Sequence, residues 1–242
     1  MVPTASNNVM IQEHEIFTPK TATYVEDKII YDFGQNMAGY SSFSLWAKKG
    51  DCVTVELGEV LDKNGMLTLK NIQFQGKNGP TPLQKYEYIC REGENHYKTT
   101  FAISGFQYAM VTLSHDIPRK DNFEIRAHAL YSSFEETGEF ESSNPLLNKF
   151  VHATVWSTKG NSADIPTDCP TRERHGWTGD AQIFFDTASY LFDYAAFSRK
   201  FLKDVLMDKE TMDVYLKLFR MVVLILLCVQ WMVLLDGRIY VF

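Results

Sequence analysis

The segment CVTVELGEVLDKNGM, residues 52–66, alternates apolar and polar side chains and then breaks at Asn64-Gly65. Val53, Val55 and Leu57 fall on one face of an extended chain, because successive side chains of a strand point to opposite faces. Asn-Gly after such a pattern is a strong hairpin signal, since both residues tolerate positive φ. The segment therefore predicts an antiparallel strand followed by a tight turn.

The same strand pattern recurs on both sides of this segment. It covers SSFSLWA, QKYEYIC and FQYAMVTL, residues 41–47, 84–90 and 106–113. Short alternating strands with no helical pattern between them favour an antiparallel β-sandwich. We predict that this sandwich occupies residues 1–134.

The hydrophobic period changes to that of a helix after Ser133. The segment SSNPLLNKFVHATVWSTKG, residues 142–160, has Ser143 or Asn144 as a cap, Pro145 in the first turn and Gly160 at the stop. Its predicted apolar face consists of Leu147, Phe150, Val151, Thr154 and Val155. Two further helical patterns cover residues 180–193 and 195–209. The chain therefore changes from an all-β to an all-α region.

Composition limits the classes of partner. The 242 residues are 45% hydrophobic and carry a net charge of −6, with no run of Lys and Arg longer than a pair. This argues against nucleic acid or a membrane as partner and favours a polar small molecule. The four cysteines lack zinc-ligand spacing, so we expect neither a metal nor a disulfide framework. Reduced thiols and the lack of a secretory signal pattern favour a cytoplasmic location.

A charged loop, DIPTDCPTRERHGWTGD at residues 164–180, separates the first two helical patterns. Its two prolines and two glycines exclude a long regular element, and loops of this kind often carry sites. Glu173 lies between Arg172 and Arg174. Glu173 either forms a solvated ion pair with these arginines or acts as a general acid whose pKa is set by a semi-buried cleft.

The other polar residues of the loop have structural alternatives too. Asp168 and Asp180 either cap backbone groups or accept hydrogen bonds from sugar hydroxyls, and Asp180 falls near a predicted helix N-terminus. Trp177 either anchors a core or stacks on a sugar. His175 has no partner at metal spacing, and Cys169 is expected to be packed rather than nucleophilic.

The order and spacing of the loop residues resemble a known family. DCPTRERHGWTGDAQ, residues 168–182, resembles the signature of the bacterial α-L-rhamnosidases of glycoside hydrolase family 78. YDFGQNMAGYSSF, GEVLDKNGML and ISGFQYAMVTL, at residues 31–43, 58–67 and 103–113, resemble the sandwich that precedes its catalytic barrel. The resemblance implies an antiparallel β-sandwich followed by the first helices of an incomplete (α/α)6 barrel, residues 135–209.

The resemblance also implies roles for the loop residues. Glu173 matches the family's general acid, and Asp168, Arg172, Trp177 and Asp180 match positions around the rhamnose in the −1 subsite. The substrate would be a rhamnose-containing glycoside or polysaccharide, hydrolysed with inversion and without a cofactor. Inversion requires a second carboxylate about 6.5–9.5 Å from the acid. We find no candidate for this base in the chain.

The apolar segment MVVLILLCVQWMVLLDGRIYVF, residues 221–242, departs from the family pattern. Residues 221–235 are fewer than the ~20 needed to span a bilayer, and Gln230 interrupts them. A buried helix is a second interpretation. We favour a third, in which the reading frame shifts after Lys209 and leaves 210–242 as an unmatched tail.

We therefore expect a glycosidase fragment that is inactive and poorly soluble by itself, from a parent enzyme compatible with a homo-oligomer. Two alternatives stay open at this point. One is a carbohydrate-binding or assembly module that acts through the sandwich. The other is an (α/α)6 glycosidase with a different sugar specificity.

Overall fold

The computed structural model describes residues 9–73, 75–76, 79–80, 84–114 and 123–207. The predicted tail from residue 210 lies outside these ranges. The strands are β1 (Ile11–Phe17), β2 (Thr21–Val25), β3 (Lys28–Ala47), β4 (Cys52–Gly58), β5 (Val60–Leu61), β6 (Leu67–Thr68), β7 (Gln75–Gly76), β8 (Gly79–Pro80), β9 (Lys85–Ile89), β10 (Gly93–Lys98), β11 (Ser104–Leu113), β12 (Phe123–Ser132), β13 (Ser162–Ala163) and β14 (Ile165–Pro166). The helices are α1 (Pro145–Gly160), α2 (Thr178–Leu191) and α3 (Ala195–Met207).

The predicted antiparallel sandwich is confirmed, and β3 organises it. The first part of this 20-residue strand pairs with β2 and β11, and its last part pairs with β10 and β12. One strand therefore contributes to both layers. Val53, Val55 and Leu57 of β4 are all buried in the core between the layers, as their alternation predicts.

The predicted hairpin at Asn64-Gly65 is also confirmed. It joins β5 to β6, and the Asp62 N–H donates to the Met66 carbonyl oxygen at 2.7 Å. Gly65 has φ +77°, a conformation that a residue without Cβ adopts at little cost.

Helix α1 has the predicted bounds, but its buried side differs from the prediction. The Asn144 carboxamide oxygen accepts from the Leu146 N–H at 3.0 Å, which caps the helix. Val155 is buried as predicted, whereas Leu147 and Phe150 are 42% and 67% exposed. The side that covers the sandwich instead includes Trp156, whose ring lies 5.6 Å from that of Phe17.

An ion pair fixes α1 on the sandwich. The ammonium group of Lys159 lies 3.1 Å from the Glu15 carboxylate of β1 and 3.2 Å from the carboxylate of Glu136. Its side chain is only 12% exposed, so these charges attract each other through less water than a surface pair would. Lys159 thus links the first helix to the strand at the edge of the sandwich.

A second apolar core joins the three helices to the sandwich through Phe134. Its ring lies 5.0 Å from Phe192, 5.2 Å from Tyr194 and 5.8 Å from Tyr131 of β12. Because Phe134 packs against both hydrophobic clusters, the cores are continuous. Among these described helices, none is both long and apolar enough to cross a membrane.

The side chain of Glu13 in β1 contacts residues of three other strands, β3, β10 and β12. Its carboxylate accepts a hydrogen bond from the Tyr40 hydroxyl and lies 3.1 Å from the Lys98 ammonium. His128 Nδ1 is 3.1 Å from Glu13 Oε1, at an angle outside hydrogen-bond geometry. The Tyr40 hydrogen bond, opposed by partial burial and aided by Lys98 and His128, lowers the pKa of Glu13 from 4.5 to about 2.

We expect Glu13→Gln to lower the free energy of unfolding at pH 7 by about 1–2 kcal/mol. This is less than the full pKa shift would give, because solvent reaches the carboxylate and screens its interactions. A depressed carboxyl pKa stabilises the fold above the unfolded-state value, so the difference should shrink as pH falls from 4.5 towards 2. Urea unfolding across this range measures it, with Glu124→Gln on exposed β12 surface as control. A difference that does not change with pH would contradict the assigned cause.

Candidate active site

Residues 168–177 of the charged loop form a closed turn immediately before α2. The first residues of the loop belong to a short hairpin, β13–β14, that follows α1 and that the sequence did not predict. The Asp168 N–H donates to the His175 carbonyl oxygen at 3.1 Å, and the His175 N–H donates to Asp168 Oδ1 at 2.9 Å. These reciprocal bonds bring the two ends of the turn together, and Asp168 caps a backbone group as in the structural one of its two alternatives.

Asp168 is held in its ionised form. Partial burial would raise its pKa, but hydrogen bonds from the Cys169 thiol and from backbone N–H groups, including that of His175, outweigh burial and lower the pKa. Asp168 also lines a cavity of about 300 Å³. Its carboxylate can therefore accept hydrogen bonds from a ligand at neutral pH in addition to ordering the turn.

Glu173 contacts two of the other predicted site residues. Its Oε1 accepts from Arg172 Nη2 at 2.8 Å, and its Oε2 accepts from Trp177 Nε1 at 3.2 Å. The Glu173 side chain is 37% exposed and that of Trp177 is 42% exposed, so neither is a core residue. The partly exposed ion pair and the indole form a polar surface next to the turn.

Asp180 lies in the first turn of α2, as predicted, where the helix dipole favours a carboxylate. It lines the same 300 Å³ cavity as Asp168. The apolar part of the cavity wall comes from Phe184, Phe185 and Tyr194. The structure thus brings two predicted binding carboxylates to one cavity, and Glu173, Arg172 and Trp177 to one cluster.

Gln84 and Arg174 connect the loop to the sandwich, and sequence reasoning missed this connection. The buried Gln84 side chain donates to the carbonyl oxygens of Leu57 at 3.0 Å and Gly105 at 2.8 Å. Its Oε1 accepts from the Gly105 N–H at 2.9 Å and from Arg174 Nη2 at 3.0 Å. Arg174 has φ +54°, and its partial burial lowers the pKa of the guanidinium. One long-range partner, Gln84, thus binds the side chain of Arg174, whose backbone conformation beside Glu173 is unfavourable for a residue with a Cβ.

The loop also packs directly on the backbone of β11. A Cβ added at Gly105 would lie 2.6 Å from side-chain atoms of both Pro170 and Thr171. Real Cβ atoms do not approach other atoms so closely, so a side chain at this position would displace the loop. Cys169, next to this contact, is half-buried and accepts from the Glu173 N–H at 3.3 Å.

Within the described ranges, no group of three or more His, Cys, Asp or Glu residues could hold a metal ion. The polar groups of the loop are instead carboxylates, a guanidinium and an indole. Such groups can bind and protonate an uncharged hydroxylated ligand.

Two family models match the chain. Residues 22–130 match the bacterial alpha-L-rhamnosidase concanavalin-like domain, and residues 135–219 match the bacterial alpha-L-rhamnosidase 6 hairpin glycosidase domain. Together the matches extend over most of the sequence and include every residue of the charged loop.

Proteins that are similar to this chain are named alpha-L-rhamnosidase. An alpha-L-rhamnosidase of Formosa agariphila is 36% identical over 177 residues, which is 73% of this chain and 18% of that protein. One of Streptomyces avermitilis is 32% identical over 82% of this chain and 18% of that protein. The crystal structure of Streptomyces avermitilis alpha-L-rhamnosidase complexed with L-rhamnose has a TM-score of 0.77 at 30% identity, over 86% of this chain and 20% of that one. The chain thus spans about a fifth of the length of these relatives.

Proposed function

The chain belongs to the bacterial α-L-rhamnosidase family, and we propose that its charged loop binds a terminal α-L-rhamnose unit and protonates the glycosidic oxygen during hydrolysis. The substrate would be a rhamnose-containing glycoside or polysaccharide. The observation that carries this proposal is the cavity of about 300 Å³ lined by both Asp168 and Asp180. This volume suits a single sugar unit, and two carboxylates can accept hydrogen bonds from its hydroxyls.

Glu173 has the role of general acid in this proposal. A general acid must direct its proton at the leaving oxygen, whereas Oε1 of Glu173 is engaged by the Arg172 guanidinium at 2.8 Å. Arg172 would therefore have to turn from Glu173 towards a sugar hydroxyl when substrate binds. Trp177 would keep its hydrogen bond to Oε2 and so orient the carboxyl group.

Hydrolysis with inversion needs a second carboxylate. As the C–O bond breaks, Glu173 gives its proton to the leaving oxygen, and a water attacks the anomeric carbon from the opposite face. A base about 6.5–9.5 Å from the acid removes the proton of this water. No residue of the described chain is assigned to this base, and we expect the 242-residue chain alone to be inactive.

A chimera tests the function. Residues 10–207 of this chain would replace the matching segment of the Streptomyces avermitilis enzyme, which would supply the base. We expect this protein to release nitrophenol from nitrophenyl α-L-rhamnoside, and the 242-residue chain to release none. A folded chimera that binds rhamnose without hydrolysing the rhamnoside would favour the binding-module alternative. A folded chimera that prefers another sugar would favour a different specificity.

We expect Asp168→Asn and Asp180→Asn each to weaken binding of L-rhamnose to the chimera by about 10-fold or more. A hydrogen bond to a charged acceptor contributes about 1.5–3 kcal/mol. Asparagine at 168 keeps an oxygen that can accept the His175 N–H, so the turn should persist. Calorimetric titration measures the dissociation constants, with Asp186→Asn on the exposed side of α2 as the matched control. Unchanged affinity in both variants would leave these residues with a capping role only.

A further inference from the structure

A second cavity, of about 340 Å³, lies where the sandwich, α1 and the charged loop meet. The sandwich contributes Gln35, Asn36 and Glu59 to its wall, and α1 contributes Trp156. The loop contributes Asp168, Cys169 and Pro170. Nothing in the proposed binding of one rhamnose unit uses this space.

The two cavities are neighbours. Ser157, Asn161 and Asp168 line both of them and therefore form the wall between them. Cys169 lines the second cavity, and its Sγ accepts a hydrogen bond from the Glu173 N–H. The backbone of the proposed acid is thus one hydrogen bond away from a residue that lines the second cavity.

The polar groups of the second cavity are held by hydrogen bonds to one another. Asn36 Nδ2 donates to Glu59 Oε1 at 3.0 Å, and Gln35 Nε2 donates to the Asn36 carbonyl oxygen at 2.8 Å. These residues offer amide donors and carboxylate acceptors that suit hydroxyl groups. Fixed side chains also lose less entropy when a ligand binds.

An aromatic ring and two negative charges define the ligand further. The Trp156 ring contacts both the Phe17 ring, at 5.6 Å, and the Lys159 ammonium, at 4.9 Å, so its orientation is set before a ligand arrives. An indole presents an apolar surface to the C–H face of a sugar. Glu59 and Asp168 would repel a carboxylate or sulfate on the ligand. The chemistry therefore fits a neutral sugar.

We propose that the second cavity binds the neutral sugar unit to which the terminal rhamnose is attached, so that the sandwich takes part in substrate selection. This inference rests on the proposed function, because it needs rhamnose in the neighbouring cavity. It assigns Asn36 and Glu59 of the sandwich as binding residues for the leaving-group sugar.

Binding to the chimera that carries Glu173→Gln tests this proposal with hydrolysis of the ligand suppressed. The two ligands are L-rhamnose and 6-O-α-L-rhamnosyl-D-glucose, titrated in a calorimeter. We expect the disaccharide to bind about 10-fold more tightly than rhamnose, the effect of one or two additional hydrogen bonds. Asn36→Ala and Glu59→Gln should remove this advantage and leave rhamnose affinity unchanged, whereas Glu124→Gln should change neither.

Tryptophan fluorescence gives a second readout. The disaccharide should cause a change that rhamnose does not, and Trp156→Phe should abolish that extra change while the response to rhamnose persists. Circular dichroism checks that each variant is folded.

Failure of this inference and failure of the proposed function give different results. If rhamnose binds but the disaccharide has no advantage, the inference is wrong and the proposed function stands. If Asn36→Ala or Glu59→Gln weakens rhamnose itself, the second cavity is part of the monosaccharide site and the inference is also wrong. If neither ligand binds, the proposed function fails together with the inference.

Discussion

Replacing Glu173 with glutamine is expected to reduce hydrolysis of alkyl α-L-rhamnosides by about 10²–10⁴-fold, the usual contribution of a general acid. The protein for this measurement is the chimera with the Streptomyces avermitilis enzyme. Glutamine has nearly the same shape as glutamate and can still accept from Trp177 Nε1, so the surrounding loop should keep its conformation. It cannot donate an acidic proton to the leaving oxygen.

A comparison of two leaving groups distinguishes a general acid from a residue that only orders the loop. Nitrophenolate departs with little help from a proton, whereas an alkoxide does not, so the loss should be much smaller for nitrophenyl α-L-rhamnoside. Glu124→Gln, on exposed sandwich surface, serves as the control and should retain full activity. Equal losses on both substrates would indicate that Glu173 orders the loop, and an active Glu173→Gln variant would move the acid role to another residue.

A substitution in the sandwich should also affect activity. We expect Gly105→Val to reduce the activity of the chimera by up to about 10²-fold, because small displacements of catalytic groups have large effects on rate. The new side chain would occupy space now filled by Pro170 and Thr171, at 2.6 Å from the added Cβ. Overpacking of this kind also costs about 1–3 kcal/mol of stability.

Ala102→Val is the matched control for this variant. It adds two methyl groups three residues away, on exposed chain that precedes the same strand. Activity and urea unfolding should be nearly unchanged in the control. If Gly105→Val kept full activity in a folded chimera, the contact between sandwich and loop would have no part in positioning Glu173.

The sequence predicted the sandwich where the side-chain pattern is local. The β4 alternation, the hairpin at Asn64-Gly65 and the Asn144 cap each depend on a few adjacent residues. It did not predict the first part of β3, which contains Gly34 and Gly39. Glycine usually indicates a turn, but at position 39 it allows the His128 carbonyl oxygen to lie 1.8 Å from where a Cβ would be.

The predicted apolar face of α1 was wrong at Leu147 and Phe150, although Val155 is buried as predicted. Periodicity identified an apolar stripe that includes Leu147 and Phe150, but not which side of α1 would cover the sandwich. Trp156 and Lys159 take that position because Phe17 and Glu15 are their partners. Such partners come from β1, more than a hundred residues earlier, and no pattern within the helix reveals them.

The loop residues were identified by resemblance, and their contacts could be foreseen only in part. Arg172, Glu173 and Trp177 are close in sequence and contact one another. The hydrogen bond between Arg174 and Gln84 spans 90 positions, and a glutamine just before a strand gives no local sign of it. The catalytic and binding roles of the loop residues stay predictions.

The contact of the loop with Gln84 and Gly105 has a consequence for biosynthesis. Ribosomes make proteins from the N-terminus, and domains generally fold in that order. The sandwich surface that binds Arg174 would thus be folded before residues 168–177 emerge from the ribosome. The newly made loop can then pack on this surface at once. In a circular permutant that is translated from α1 onwards, the loop would emerge before this surface, and we expect its maturation to wait for the last strand.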